Sequence, residues 1–222
     1  MTLAELIRRF RVLAKDTVLP GFWKDPDITD WLNDAQAQAA VRGRLLLEDA
    51  NPAVCLIAVT AGQHTYPLHR ALYELVGLWF KPAGASRATP LKLVSREWLE
   101  REVRDWRDTD SGLHYAIQDE TSIRLVGVPE RDGALMLEGY RLPLAPMATD
   151  TDKPDIHEAS HEHLIQWALH KAFSIPDAQS FDPERSALAE RAFTAYFGLL
   201  PDADMRRITR SDTDHANQVH AI

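Results

Sequence analysis

The stretch that decides the fold is Trp23 to Ala40, WKDPDITDWLNDAQAQAA. Asp25 followed by Pro26 predicts a helix start, because a carboxylate caps exposed N–H groups and the proline ring is preset to helical φ. Apolar residues then recur at helical spacing and form one stripe, and polar side chains leave the opposite face hydrophilic. The stripe consists of Ile28, Trp31, Leu32, Ala35 and Ala39, and the polar set of Asn33, Asp34, Gln36 and Gln38. This pattern is typical of a packing element and not of a reaction centre.

The same stretch contains Ile-x-x-Trp-Leu-Asn-x-Ala-Gln at residues 28–36, which resembles the opening of the head-to-tail adaptor proteins of tailed bacteriophages. The resemblance covers roughly residues 1–200 through the order of elements and short motifs. These are a helix over Leu3–Ala14, Thr-Ala-Gly-Gln-x-x-Tyr-x-Leu at Thr60–Leu68, Leu-Val-Ser-Arg-Glu-x-Leu at Leu93–Leu99, and Trp106 with Gly112 ahead of a strand. The tail after Pro201 has no counterpart in this resemblance.

The resemblance implies a structural virion protein with no enzymatic activity and no cofactor. Adaptors of this family form a twelve-fold ring between the portal and the tail, extend the DNA channel, and offer a docking platform for the downstream tail or nozzle protein. DNA passes through such a ring during ejection without specific binding. The implied location is the neck region of the virion, after synthesis in the host cytoplasm.

The resemblance also implies a role for the C-terminal segment. In an assembly protein such a segment is an arm that orders on the portal or on a neighbouring subunit. The candidate contact residues of this arm are Arg206, Arg207, Ile208, Arg210, Val219 and Ile222.

Composition limits the classes of function. The chain of 222 residues is long enough for a sizeable core, and its net charge of −8 argues against a protein that grips nucleic acid by its phosphates. An acidic channel wall would instead repel passing DNA. The longest apolar run, Val54–Val59, is far too short to span a bilayer, and the N-terminus is typical of a helix capped by Thr2 and Glu5 and not of a signal peptide. The one cysteine, Cys55, is expected to be buried and unreactive.

The order of hydrophobic periodicities predicts an α+β fold. Four main helices from the two ends of the chain form a helical core, and an antiparallel β domain is inserted between them. The predicted boundaries are 1–52 and 146–200 for the two parts of the helical core, 53–145 for the β-rich insertion, and 201–222 for a flexible C-terminal arm.

Three local predictions follow from the pattern of side chains. Val54–Val59 predicts a strand covered on both faces, and Glu130–Gly133 predicts a hairpin turn between the strands on either side of it. Asp182 and Pro183 predict the start of the last helix. The apolar stripe predicted for that helix is Leu188, Ala192, Ala195 and Leu199, widened by Phe193, Tyr196 and Phe197.

The sequence HEASH at residues 157–161 spells the H-E-x-x-H motif of zinc peptidases. In that motif two imidazoles one helical turn apart bind zinc, and the glutamate between them activates a water molecule. The alternative function is therefore a zinc-dependent peptidase with His157 and His161 as ligands and Glu158 as the base. Against it, the motif follows Pro154 in a polar stretch at a helix start, and no Met-turn or Gly-x-x-His continuation accompanies it.

Large apolar residues supply the remaining candidates. Residues at the ends of segments bordered by charge are predicted to contact a neighbouring subunit or the tail, namely Trp79, Phe80, Trp98 and Trp106. Residues on the apolar faces of predicted helices are assigned to core packing, namely Ile28, Trp31, Leu32, Trp167 and Phe173.

Overall fold

The computed structural model describes residues 1–18, 20–107, 112–176 and 180–201, and it confirms the α+β class. The described residues form two compact units, which we call the helical unit (residues 1–47 and 140–201) and the β unit (residues 48–139). The helices are α1 Leu3–Ala14, α2 Asp25–Gly43, α3 Pro52–Cys55, α4 Arg96–Glu102, α5 His161–Ser174 and α6 Pro183–Phe197. The strands are β1 Leu47–Glu48, β2 Leu56–Val59, β3 Thr65–Pro67, β4 Leu72–Pro82, β5 Thr89–Pro90, β6 Lys92–Leu93, β7 Tyr115–Gln118, β8 Ser122–Leu125 and β9 Gly133–Arg141.

Helix α1 has the termini that its sequence predicts. The Thr2 hydroxyl accepts a hydrogen bond from the backbone N–H of Glu5, and the Glu5 carboxylate accepts one from the backbone N–H of Thr2 at 2.8 Å. This reciprocal capping box satisfies two N–H groups that the first turn leaves free. The helix ends at Ala14 because Lys15 adopts a left-handed conformation with φ of 62°.

Helix α2 begins at Asp25, and the prediction that Asp25 caps it is wrong. Lys24 occupies the capping position, and no side chain accepts a hydrogen bond from the first turn. The Asp25 carboxylate is instead 2.5 Å from the guanidinium of Arg11, which also pairs with Asp16 at 2.6 Å. Pro26 lies in the first turn, as predicted, where its missing N–H costs nothing.

One hydrophobic cluster fills the helical unit and includes residues of α1, α2, α5 and α6. Helix α5 has eight buried residues, which occupy most of its circumference. At one end of the cluster the Trp23 indole makes edge contacts with the rings of Phe10 at 5.7 Å and Phe173 at 5.5 Å. Such edge-to-face pairs add to the stability that burial of the rings provides.

Helix α6 starts as predicted, but it presents a different face to the core. The Asp182 carboxylate accepts from the backbone N–H of Arg185 at 3.0 Å, and Pro183 follows it. The buried residues are Ser186, Ala189, Phe193 and Phe197, whereas the predicted stripe of Leu188, Ala192, Ala195 and Leu199 is exposed. The prediction is wrong because two phenylalanines bury more apolar surface than two leucines and therefore define the inner face.

The β unit contains two sheets. In the first the strand order is β1-β9-β4-β5, and β2 also pairs with β9; in the second it is β3-β8-β7-β6. Strands β6 and β7 are parallel, whereas the pairs β2–β9, β3–β8, β4–β5 and β7–β8 are antiparallel, so the predicted antiparallel β domain is in part mixed. The hairpin predicted at Glu130–Gly133 is also wrong, because β8 and β9 belong to different sheets. Gly127, with φ of 90°, redirects the chain just after β8.

The segment predicted as a doubly covered strand divides into a helical turn and a strand. Val54 and Cys55 belong to α3, whose first turn is capped by the Asn51 side chain. Only Leu56–Val59 forms a strand, β2, and Leu56 is 51% exposed. The covered strand is therefore a wrong prediction, because Asn51 and the following proline start a helix. The Cys55 thiol is buried, as predicted.

A buried side chain joins the two sheets of the β unit. Gln118 of β7 accepts from the backbone N–H of Leu75 at 2.9 Å and donates to the carbonyl oxygen of Tyr73 at 3.1 Å. Strand β5 pairs with β4 at Trp79 and Phe80. Nearer the start of β4, the Gln118 amide forms backbone hydrogen bonds of the kind that a neighbouring strand would form. Backbone groups that burial would leave unpaired are satisfied in this way.

Candidate interaction surfaces

Two amides of residues 28–36, which we call the signature sequence, hold a distant segment of the helical unit. The Asn33 side chain donates to the Met147 carbonyl at 3.0 Å and accepts from the Met147 N–H at 2.8 Å. Gln36, only 2% exposed, donates to Asn33 at 3.1 Å and accepts from the backbone N–H of Asp155 at 3.3 Å. The pattern of polar residues predicted that these side chains lie on a hydrophilic outer face. Both are uncharged amides, however, which can pair fully with backbone groups inside a protein, and this property could have indicated their inward position.

Asp34 of the signature sequence also forms a hydrogen bond within the helical unit. The Asp34 carboxylate accepts from the indole N–H of Trp167 at 2.7 Å. Further along α2, Arg42 lies over the rings of Trp167 at 4.8 Å and Phe193 at 5.2 Å, and donates to the Thr194 hydroxyl at 2.9 Å. Burial lowers the pKa of Arg42, although nearby carboxylates oppose that shift. The signature sequence therefore stabilises the fold through polar contacts as well as through its apolar stripe.

The five residues assigned to core packing lie in the helical unit. Ile28, Leu32, Trp167 and Phe173 are buried in its hydrophobic cluster. Trp31 is partly exposed and packs against the outside of that cluster, with its ring centre 6.1 Å from that of Phe10.

The H-E-x-x-H sequence does not lie on one α-helix. His157 precedes a 3-10 turn at Glu158–Ser160, and α5 begins only at His161. His161 is 2% exposed, with Nε2 2.9 Å from the Ile156 carbonyl oxygen and Nδ1 2.8 Å from the Met1 amino nitrogen. Both of its ring nitrogens therefore have partners within the chain. Across the described ranges, no group of three or more His, Cys, Asp or Glu side chains could hold a metal ion.

The environment of Glu158 also differs from that of a peptidase base. Its carboxylate lies 3.3 Å from the Met1 amino group, and the hydrogen bond from this group, aided by its positive charge, is the main cause that lowers the pKa of Glu158. A general base is most effective when its pKa is raised toward the working pH. The arrangement therefore offers no support for the peptidase alternative.

The four aromatic residues predicted at an interface fall into two groups. Phe80 and Trp106 are buried, in the main and in a smaller hydrophobic cluster of the β unit. Trp79 and Trp98 are partly exposed, and Trp98 packs against the ring of Tyr115 at 5.1 Å. Only Trp79 and Trp98 of this set therefore present surface that a partner can reach. Phe80 and Trp106 face inward because their rings fill space inside hydrophobic clusters that the short strands alone would leave empty.

The first sheet has an exposed apolar face, which we call the sheet patch (Leu56, Trp79 and Met136). Leu56 of β2 lies directly opposite Met136 of β9, and both side chains are exposed. The Trp79 indole covers Gly77 on the side where the Glu138 carboxylate also lies. Since Met136 and Glu138 alternate with buried residues in β9, they share one face with this indole.

Exposed apolar residues also lie on α6, namely Leu188, Ala192 and Ala195, and Leu199 follows two residues after the end of the helix; we call these four residues the outer stripe. Leu188 is 63% exposed and Leu199 is 80% exposed. Single exposed leucines are common on protein surfaces, so this set is a weaker candidate for an interaction site than the sheet patch.

The candidate residues of the C-terminal arm lie outside the described residues. They are Arg206, Arg207, Ile208, Arg210, Val219 and Ile222. In the part of the chain that the structure describes, every helix is too short or too polar to cross a membrane.

Comparison with known families gives one clear match. A family model described as SU10 adaptor protein, a phage head-tail adaptor family, matches residues 1–218. The matched region contains both compact units and nearly all of the C-terminal segment. No match was found among curated proteins.

Proposed function

The chain belongs to the SU10 adaptor protein family, and on this premise we propose that it forms a ring between the portal and the tail of a tailed bacteriophage. The observation that carries the proposal is the family match over residues 1–218, which includes the signature helix and both units. The ring would contain twelve copies, extend the DNA channel, and provide the docking platform for a downstream tail or nozzle protein. The protein would act by its geometry, without catalysis.

The exposed surfaces support an assembly role. A cyclic ring uses two different surfaces of every subunit, because each copy contacts one neighbour on each side. The outer stripe of the helical unit and the sheet patch of the β unit are apolar and solvent-exposed in the single chain. In this proposal the helical core of α1, α2, α5 and α6 stacks under the portal, and the β unit faces neighbouring subunits or the next tail component.

The proposal assigns the portal clamp to the arm at residues 201–222. Its arginines at 206, 207 and 210 would pair with acidic groups on the portal, and its few bulky residues would fill apolar pockets there. A segment that folds on binding covers a large surface but loses affinity to its own ordering. This keeps free subunits apart until a portal is present.

The net charge of −8 supports the channel role. DNA that moves through a ring must not adhere to it, and an acidic wall repels the phosphates.

Native mass spectrometry of the full chain, alone and with its cognate portal ring, tests this function. We expect a monomer at micromolar concentration that loads onto the portal in a fixed symmetric number. A variant that ends at Pro201 serves as the matched comparison, and its urea unfolding reports whether it still folds. A full chain that ignores the portal contradicts the adaptor function. A folded truncated chain that loads with unchanged affinity contradicts only the arm assignment.

A further inference from the structure

A cavity of about 310 Å³ opens to solvent in the helical unit, where the loop after α1 meets the start of α6. We call it the aromatic cavity, because Phe22, Trp23, Phe173 and Phe181 line it. The rings of Trp23 and Phe173 are buried and in edge contact at 5.5 Å, whereas Phe22 is 49% exposed and Phe181 is 52% exposed. Ligand pockets measure roughly 300–1,000 Å³, so this cavity has room for one large side chain and a group beside it.

A network of charged side chains fixes the loop that forms one wall of the cavity. The Asp16 carboxylate, 7% exposed, accepts from the Arg11 guanidinium at 2.6 Å and from the backbone N–H of Phe22 at 2.7 Å. Arg11 also donates to the carbonyl oxygen of Trp23 at 2.8 Å. Gly21 leaves room for this guanidinium, because a side chain at that position would collide with it. The wall is therefore held in place in the free chain, and a ligand would lose little affinity to ordering it.

The two basic residues of the cavity keep hydrogen-bond donors that no carboxylate uses. Cζ of Arg185 lies 3.8 Å from the centre of the Phe173 ring, and its guanidinium donates to the Leu13 carbonyl oxygen at 3.3 Å. A guanidinium can donate several hydrogen bonds, so donors remain. Lys15 is exposed, and among the described residues neither it nor Arg185 forms an ion pair.

The two acidic residues of the cavity, in contrast, already have partners inside the chain. Asp16 is paired with Arg11, and Asp182 accepts from the backbone N–H of Arg185 at 3.0 Å. The positive end of α6 also offsets the charge of Asp182. The charge that lacks a partner at the cavity is therefore positive, and it lies next to exposed aromatic rings. This combination is complementary to a carboxylate that stands beside an apolar side chain.

We propose that the aromatic cavity binds an acidic peptide segment of a protein partner. A bulky apolar side chain of that segment packs against Phe22 and Phe181, and an adjacent carboxylate pairs with Arg185 and Lys15. Buried apolar anchors and acidic motifs held by arginine are both established ways to recognise a peptide. The inference goes beyond the proposed ring and does not depend on it, because it rests on the composition of this cavity.

An NMR titration of the ¹⁵N-labelled full chain tests the proposal with a synthetic probe. The probe is the peptide Ser-Glu-Phe-Asp-Ser with both ends blocked, so its side-chain carboxylates carry its only charges. One control peptide has Gln and Asn in place of Glu and Asp, and the other has Ala in place of Phe. We expect the probe to shift the backbone signals of residues 14–16, 22–23 and 180–185. Both control peptides should bind about tenfold more weakly, because each lacks one half of the contact.

Matched variants of the chain test the role of the charges. Arg185→Gln should weaken binding of the probe about tenfold, and Lys15→Gln about threefold because Lys15 is more exposed. The control is Arg191→Gln, which removes an exposed arginine of the same helix outside the cavity and should leave binding unchanged. Urea unfolding reports whether each variant folds, and the exposed Lys15 provides the test if Arg185→Gln does not. Unchanged affinity in both cavity variants, or equal binding of the uncharged peptide, overturns the proposal.

Other occupants of the cavity would give different signals. If the cavity signals do not shift at peptide concentrations in the millimolar range, the proposal is overturned. If they shift when the peptide-free chain is concentrated, a second copy is the occupant, and the acidic partner is wrong. If Arg185→Gln without peptide shifts the signals of residues 202–222, the chain's own segment occupies the cavity, which also overturns the proposal. Loading onto the portal ring is measured separately, and its failure would contradict the adaptor function alone.

Discussion

The helical unit and the β unit are stabilised in different ways. The helical unit has one hydrophobic cluster, formed by helices of 12 to 19 residues from both ends of the chain. The β unit has strands of 2 to 11 residues in two sheets, and its apolar residues divide into two clusters. In both units a side-chain amide completes the backbone hydrogen bonding, the half-buried Asn33 in the first and the buried Gln118 in the second. The comparison shows that local helix signals shape one unit and remote pairings the other.

The largest effect should come from the single core of the helical unit. Phe193→Ala should lower the free energy of unfolding by about 3–5 kcal/mol, because removal of a fully buried ring leaves a cavity in the hydrophobic cluster of that unit. Urea unfolding measures the change, and hydrogen exchange shows where it acts. If the units unfold separately, amides of α5 exchange faster while those of β8 do not.

The matched control for this variant is on the opposite face of the same helix. Leu188→Ala removes an exposed side chain and should change the free energy of unfolding by less than about 0.5 kcal/mol. A large loss in Leu188→Ala together with a small loss in Phe193→Ala would mean that α6 is rotated relative to the described structure.

The same two residues show what the sequence can and cannot predict in the helical unit. Capping residues act locally, so Thr2 and Asp182 predict where α1 and α6 begin. Which side of α6 faces the core depends on α5, and two apolar stripes compete on this helix. The pair Phe193 and Phe197 at i, i+4 was the signal for the inner face, and the regular leucine and alanine stripe concealed it.

The β unit was less predictable because its pairings join residues far apart in sequence. Leu72–Pro82 and Gly133–Arg141 are recognisable as strands from composition, yet their partners are not those next to them in the chain. The parallel pair of β6 and β7 brings together strands on either side of α4. The candidate surfaces were also hard to predict. Trp79 is partly exposed and Trp106 is buried, but this difference depends on packing against residues far away in sequence, because interface and core positions have similar local sequences.

A second, smaller effect compares the two side-chain amides that pair with backbone groups, Asn33 and Gln118. Asn33→Ala removes the side chain that pairs with the backbone N–H and C=O of Met147, and Gln118→Ala removes the side chain that pairs with the Leu75 N–H and the Tyr73 carbonyl. Each should cost about 1–3 kcal/mol, the usual penalty for buried polar groups left unpaired. Hydrogen exchange should place the first loss in the helical unit and the second in the β unit. Equal protection loss in both units from either variant would show that they unfold as one.

The smallest effect is a dependence on pH that should belong to the helical unit alone. The Asp152 carboxylate accepts from the Thr149 hydroxyl at 2.6 Å and from the backbone N–H groups of Ala148 at 2.7 Å and Thr149 at 2.8 Å. These hydrogen bonds lower the pKa of Asp152 below its ordinary value of 3.8. They also order the loop whose carbonyl groups at 150 and 152 accept from the first N–H groups of α1.

The sign of this dependence follows from the lowered pKa. A carboxyl whose pKa is depressed by folding contributes stability above its unfolded pKa, and loses it as the pH falls through the folded value. The difference in unfolding free energy between the parent chain and Asp152→Asn should therefore be constant near neutral pH and shrink below about pH 4. Urea unfolding from pH 7 to pH 3 measures it, and Gln118→Ala, which changes no charge, is the control. A difference that grows in acid would mean that the Asp152 hydrogen bonds favour its protonated form, and the loop would then not stabilise α1 through that charge.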